Sequence, residues 1–205
     1  MSRHLPYHIG ARCINREWFQ IPMETVWSIY SDYLFLMQKM FDVRIHSFVL
    51  MSNHFHLLIS TPSHDLSRVM NYFMRETSRV LGFESNRINQ VYGGPYHGSI
   101  ITTERHFLHA YKYVYRNPVE AKMVGRVEDY PFSNLAGCLG ASRLFIPVIE
   151  DALLFDNTSW CIDWLNTPFR ENHHELIKKA LRRKEFLLAK NRKNNKPSEL
   201  ESILV

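Results

Sequence analysis

Two short segments hold the side chains with most chemistry to offer. His54 and His56 stand two apart in the run HFHLLIS, which reads as a β-strand. Side chains two apart on a strand leave the same face, so both imidazoles point one way and Phe55 the other. Two parallel imidazoles on a rigid backbone can hold a divalent cation. The spacing alone also fits two exposed or core-satisfied histidines on one sheet face, and His8 and His46 read mostly that way. The second segment, ERHFLHAYKYVYRNP, carries three tyrosines. At about 3.6 residues per turn, Phe107, Tyr111 and Val114 share a stripe suited to a core, with Tyr115 on its flank. Tyr113 falls with His106, Ala110 and Asn117. Tyr113 and Asn117, four apart, are neighbours on a helix. An amide oxygen can ligate a hard cation, and a phenol can attack an electrophile held by it. Read singly, Tyr113 is also a tyrosine with a satisfied hydroxyl, Asn117 a helix-end residue before Pro118, and His106 a phosphate helper or a solvated histidine.

The elements that must position these groups follow from periodicity and punctuation. Residues 6–13 read as a first strand. Residues 23–41 read as a helix, because Val26, Trp27, Tyr30, Tyr33, Leu34 and Met37 recur at helical spacing. Residues 43–50 and 54–60 are two β-rich runs, and the polar break Ser52-Asn53 between them predicts a hairpin. A second helix is expected from Asp65 to Leu81, with Gly82 as its stop. Residues 83–96 read as a loop marked by Gly93-Gly94-Pro95, 97–103 as a strand, and 104–117 as a helix ending before Pro118. This order predicts an α+β domain with an antiparallel sheet covered on one face by helices. Past Leu139 the pattern weakens. Residues 159–190 look partly helical and 191–198 look disordered. The expected division is a catalytic domain over 1–139 and a basic, helical, partly disordered extension over 140–205.

Composition narrows the setting. Hydrophobic residues make up 45% and charged residues 22% of 205 residues, an ordinary globular balance. No apolar run approaches the roughly 20 residues of a membrane span, and the first residues lack the apolar stretch of a secretory signal. A cytoplasmic, nucleoid-associated protein with no membrane partner is expected. The three cysteines, Cys13, Cys138 and Cys161, have no CxxC spacing and read as thiols, not as a disulfide framework or zinc cluster. The formal net charge of +5 favours polyanionic partners. Nine Lys or Arg residues lie between Lys178 and Lys196. That segment reads either as a DNA-contacting or site-covering element or as a solvated helix.

These signals fall into a known pattern. The run SFVLMSNHFHLLISTP resembles the HUH-motif strand of the single-tyrosine transposases. YKYVYRNPVEAKMV, followed by DYPFSN, resembles that family's tyrosine helix and the aromatic-Ser segment after it. YHIGAR and GGPYHGSIITTERHF are similar to further parts of it. The similarity spans residues 7–137 and is nearest to the REP-associated and insertion-sequence-200-like transposases. The resemblance implies an RRM-like (ferredoxin-like) HUH-nuclease sandwich. It implies that His54, His56 and Asn117 hold Mg²⁺ or Mn²⁺ and that Tyr113 is the nucleophile. It implies cleavage and strand transfer of single-stranded or hairpin DNA through a 5′-phosphotyrosine. Lys112, Arg116, Arg182 and Arg183 are the expected DNA contacts. Relatives place the tyrosine helix in the same subunit or in a partner's, so a homodimer stays open.

Three other readings compete. One is a domesticated module that binds DNA hairpins without cutting, against which the intact residue set argues. Another is a plasmid-relaxing or repair nuclease, which would carry a third histidine and often paired tyrosines. The last is a structural zinc site, which wants four closed ligands. The C-terminal KKALRRKEFLLAKNRKNNKPS also departs from the Pro-Gly-Trp type ending of many REP-associated members.

Overall fold

The computed structural model describes residues 5–149, 151–170, 172–190 and 196–203. Four strands form one sheet: β1 (Tyr7–Arg12), β2 (Arg44–Met51), β3 (His54–Ser60) and β4 (His97–Ile100). Their order is β2-β3-β1-β4, with every neighbouring pair antiparallel. Two helices connect them: α1 (Met23–Phe41) leads from β1 to β2, and α2 (Leu66–Glu84) leads from β3 to β4. Each connection skips one strand, so the topology is the split β-α-β of ferredoxin-like folds. Asp65 caps α2 by accepting from the Ser67 N–H at 2.7 Å. Gly82 does not stop α2, which runs on to Glu84.

Strand alternation builds two cores. Tyr7, Ile9, Ile45, Phe48, Leu50, Phe55, Leu57 and Ile59 point to one face and pack with the apolar faces of α1 and α2. Val49, Met51 and Leu58 point to the other, where a third helix, α3 (Glu104–Glu120), lies across the sheet. The expected covering of one face is therefore corrected: helices cover both. On that second face Val49, Met51 and Leu58 pack with Ala110, Tyr111 and Val114 of α3, while the polar strand positions beside them stay open to a cleft.

The C-terminal third completes that second layer. Its helices are α4 (Asn134–Cys138), α5 (Ala152–Phe155), α6 (Thr158–Asn166) and α7 (His173–Ala180). Leu154, Cys161, Leu165, Ile177, Leu181, Phe186, Leu188 and Leu200 are buried in the same cluster as Tyr111 and Val114. Residues on both sides of position 139 thus share one core. The expected disorder of 191–198 falls mostly on 191–195, which lie outside the described residues; Glu199–Glu201 form a short 3₁₀ turn.

Both sheet edges are closed by later segments. Along β2, Leu50 N–H donates to Phe132 O at 2.9 Å, Phe48 N–H to Asn134 Oδ1 at 2.6 Å, and the Tyr130 hydroxyl to Leu50 O at 2.7 Å. The DYPFSN run is therefore the strip that seals the β2 edge. Along β4, Ile100 N–H donates to Lys184 O, and Phe186 N–H donates to Ile100 O, each at 2.9 Å. Unpaired edges invite intermolecular pairing, and neither is left bare over these stretches.

α3 runs past the expected end, with Pro118 inside it and Glu120 as its last residue. Proline costs a helix its own N–H and crowds the carbonyl four residues earlier. Here only the final turn follows, and Ala121 N–H still reaches Asn117 O at 2.9 Å. Because Phe186 is fully buried, Phe186→Ala should lower unfolding stability by about 3–5 kcal/mol. Urea denaturation measures this. A loss below about 1 kcal/mol would mean that residues 181–188 add little to the core.

Candidate active site

A cleft of about 780 Å³ opens on the α3 side of the sheet. β1, β3 and β4 form its floor with His8, Gly10, Arg12, His54, His56 and His97. α3 supplies Tyr113, Asn117 and Glu120, and α7 with the residues after it supplies His174, Lys178 and Arg182. Gly93, Gly94 and Pro95 form a further wall. Gly93 N–H bonds Arg12 O at 2.9 Å, which ties that wall to the end of β1. His54, His56, Tyr113 and Asn117, the four residues singled out for chemistry, thus line one space.

The strand register sets the floor. Arg12 pairs with His54 and Gly10 with His56. A side chain at Gly10 would bring its Cβ to 3.3 Å from Phe55 O and 3.9 Å from His56 Nδ1. Glycine there lets the His56 ring lie close over β1. The two imidazole centroids are 5.1 Å apart, and His56 stands edge-on to Tyr113 at 5.5 Å.

Each histidine has one ring nitrogen engaged. Asn53 Nδ2 donates to Arg16 O at 2.7 Å, which fixes the amide so that Oδ1 faces His54. His54 Nδ1 lies 2.7 Å from that oxygen and must be the donor. Its Nε2 is then the bare nitrogen. His56 Nδ1 meets His8 Nε2 at 2.9 Å, while His56 Nε2 is buried with no partner among the described residues. Burial holds these rings neutral: His54 is pushed down to about 4, with Arg12 and Lys178 adding to the effect, and His56 well below the usual range. Neutral imidazoles keep the lone pair a cation needs.

On α3, Asn117 Nδ2 donates to Tyr113 O at 2.7 Å, which commits the nitrogen end of the amide to the backbone. Burial pushes the Tyr113 phenol up to about 12, against the pull of Arg182 and Arg12 and with Glu175 reinforcing it. The His174 ring stacks on Tyr113 at 5.1 Å and 22°. The other two tyrosines are spent on structure. The Tyr111 hydroxyl donates to Asp151, and the Tyr115 hydroxyl bonds Asn134.

Two expected DNA contacts are corrected. Lys112 is fully buried, with Nζ 5.2 Å from the Trp164 ring and 5.4 Å from Phe169. Arg116 is buried too. It donates to Leu165 O at 3.0 Å and Asn166 O at 2.8 Å, and pairs with Glu120 at 2.7 Å. It thereby satisfies carbonyls at the end of α6, where a cation also suits the helix dipole. Covered by α6 and Phe169, neither charge faces a phosphate. Of the other pair, Arg182 lines the cleft and Arg183 is exposed outside its lining. His106 is buried against Phe186, 3.1 Å from Glu201, and is absent from the cleft lining. Sequence reasoning missed Asn53, His8, Arg12 and His174. Only Asn53, next to His54, carried a local signal.

Lys112 gives a pH test. Burial pushes its ammonium down to about 8 from an ordinary value of 10.5. Between those values the unfolded chain binds more protons than the folded one, so this residue's contribution to stability rises with pH. Relative to Lys112→Met, the wild type should gain unfolding stability from pH about 8 to about 10. Comparing the two proteins cancels the titrations of the buried tyrosines and cysteines. A difference that stays flat would show a solvated ammonium.

The sequence family described as Transposase IS200 like matches residues 2–114, which is more than half of the chain. A solved structure of a REP-associated tyrosine transposase bound to a REP hairpin shares the fold. Its TM-score is 0.59 at 16% identity, over 72% of this chain and 87% of that one. A candidate transposase from Deinococcus radiodurans R1 aligns with a TM-score of 0.41 at 14% identity, over 60% of this chain and 91% of that one. No curated protein matches significantly. No helix among the described residues is long and apolar enough to cross a membrane. The sheet order, the antiparallel pairing and the family match agree, and the chain belongs to the IS200-like transposase family.

Proposed function

We propose that this transposase cleaves and rejoins single-stranded, hairpin-associated DNA, with Tyr113 as nucleophile and His54, His56 and Asn117 as the ligands of Mg²⁺ or Mn²⁺. The observation that carries this reading is the convergence of those four side chains, from β3 and α3, on one cleft with a cationic rim.

The donor set fits a divalent cation. His54 has a bare Nε2, and the buried His56 Nε2 has no partner among the described residues. The Asn117 amide is tethered through its nitrogen, so its oxygen is the end left for ligation. Two imidazoles and one amide leave coordination positions for phosphate oxygen and water, as a catalytic site requires. No cluster of three His, Cys, Asp or Glu occurs among the described residues, consistent with an amide as the third donor. A bound cation would supply positive charge to a non-bridging oxygen of the scissile phosphate.

The chain's own groups do the rest. At neutral pH a phenol held up to about 12 stays protonated, so the proton must leave as attack proceeds. Arg12 and Arg182 flank it and favour the developing phenolate. The Tyr113 Oη–P bond forms as the P–O3′ bond breaks. The phenolic proton passes to solvent, and the departing oxygen takes up a proton to become a 3′-hydroxyl. The product is a 5′-phosphotyrosine, which another 3′-hydroxyl can reverse into a new junction. Lys178 and Arg182 at the rim would hold phosphates on either side of the reacting one.

The purified protein with Mn²⁺ should become covalently attached to the 5′ side of a nicked single-stranded hairpin oligonucleotide, seen as a gel shift that survives denaturation. Tyr113→Phe should abolish attachment and leave binding within about threefold. His54→Ala/His56→Ala should lose metal-dependent attachment while staying folded. Attachment by Tyr113→Phe, or by the double variant in EDTA, would sink the assignment. Binding without attachment by the wild type would leave a hairpin-binding module.

The basic segment needs a gentler test than truncation. Deleting the chain after Leu176 would remove buried Ile177, Leu181, Phe186 and Leu188 and so unsettle the core. Lys178→Ala/Arg182→Ala keeps the core. Each lost phosphate contact should flatten the salt dependence of single-strand binding by about 0.7 log unit per log salt. The double variant should therefore lose about 1.4, measured by fluorescence anisotropy over a salt series. An unchanged slope would remove both residues from the DNA interface.

A further inference from the structure

The two histidines among the candidate ligands are held by different neighbours. His54 is oriented by Asn53, whose own amide is fixed by the Arg16 carbonyl. His56 has no such amide. Its Nδ1 meets the Nε2 of His8 at 2.9 Å, across the sheet from β3 to β1. His8 is buried, and its ring stacks on His56 with centroids 5.1 Å apart. Nothing in the proposed chemistry uses His8.

Two neutral rings sharing one hydrogen bond have two arrangements. In one, His8 Nε2–H donates to His56 Nδ1. His56 then carries its proton on Nε2 and cannot ligate through it. In the other, His56 Nδ1–H donates to His8 Nε2, and His56 Nε2 is bare. The second requires His8 to carry its proton on Nδ1. That atom is buried without a partner among the described residues, and so is the Ser99 hydroxyl. Ser99 is the cross-strand partner of His8. The pairing puts that hydroxyl on the same sheet face as His8, where a side-chain turn can bring it to the Nδ1 proton, whereas a proton on His56 Nε2 has no acceptor among the described residues.

We propose that His8 is a positioning residue: it accepts the Nδ1–H of His56, holds that ring in the tautomer with Nε2 bare, and so sets the cation affinity of the cleft. Outer partners of ligating histidines act in this way, fixing the tautomer and ring angle and raising basicity. The affinity half of the inference rests on the proposed function. The tautomer half stands on the hydrogen bond and on the groups around the two outer nitrogens.

The test has two readouts on the full-length protein. Long-range ¹H–¹⁵N spectra of the metal-free wild type should show His56 protonated on Nδ1 and bare on Nε2. Finding the proton on His56 Nε2 would overturn the proposal whether or not any variant folds. Mn²⁺ binding without DNA, followed by electron paramagnetic resonance, should weaken about 10–100-fold in His8→Phe, which keeps ring bulk but no acceptor. His8→Gln, which restores an acceptor oxygen, should recover most of that loss. Equal loss in both variants would mark a packing role and overturn the inference, as would unchanged affinity in His8→Phe. If the wild type binds no Mn²⁺ but shows the expected His56 tautomer, lost in His8→Phe, the positioning role stands. The metal assignment is then what fails.

Discussion

The strict alternation of β3 governs the rest of the molecule. Seven residues, His54 to Ser60, must serve two surfaces at once. Phe55, Leu57 and Ile59 drive into the core under α1 and α2. A one-residue slip would send all three to the wrong side and bring the histidines into an apolar core. Burial of three large side chains, worth about 1.5–3 kcal/mol each, therefore fixes where His54 and His56 point. The ligand candidates need no stabilising contacts of their own to be held in register. The neighbouring strands adapt to this: Gly10 gives up its side chain beside His56, and Arg12 comes level with His54.

α3 is constrained in a similar way from two sides. Its flanks carry Tyr111 and Tyr115, whose rings meet at 4.8 Å and whose hydroxyls are tied to Asp151 and Asn134. With those two anchored, rotation of the helix is fixed and Tyr113 must face the histidines. The DYPFSN run joins the two constraints. Asn134 Oδ1 accepts from Phe48 N–H on β2, while its Nδ2 donates to the Tyr115 hydroxyl at 3.1 Å. One side chain thereby registers the tyrosine helix against the sheet.

How much of this was legible depends on the range of the interactions. Strand and helix periods are local, so β1–β4, α1, α2 and the start of α3 could be read within a few residues. The hairpin histidines and the Tyr113–Asn117 pair came from the same local geometry. The failures are non-local. Lys112 and Arg116 look like solvated helix charges until α6 and Phe169, about fifty residues later in the chain, close over them. The second helical layer had the same cause: short helices with weak periodicity, α5 to α7, are stabilised by a core that α3 and the sheet have already begun. His8 was read as an ordinary sheet histidine because its partner lies 48 residues away. Pro118 misled because its helix-breaking tendency is real, but only one turn remained to be broken.

The burial pattern also separates two electrostatic tasks that sequence reading merged. Inside the cleft, desolvation strips charge from the imidazoles, pushing His54 down to about 4 and His8 to about 3. A floor of neutral donors attracts a cation through lone pairs without repelling it. The permanent charges stand at the rim, where Arg12, Lys178 and Arg182 keep access to water. There they can meet phosphates without the desolvation cost that a buried, unpaired cation would carry. Arg116 shows the alternative: once buried, a guanidinium is held by a carboxylate and two carbonyls, which take four of its five N–H donors. Net positive charge in this chain is thus a poor guide to the DNA path. For the proposed DNA path, the better guide is which cations the fold leaves at the mouth of a cleft whose interior it has made neutral.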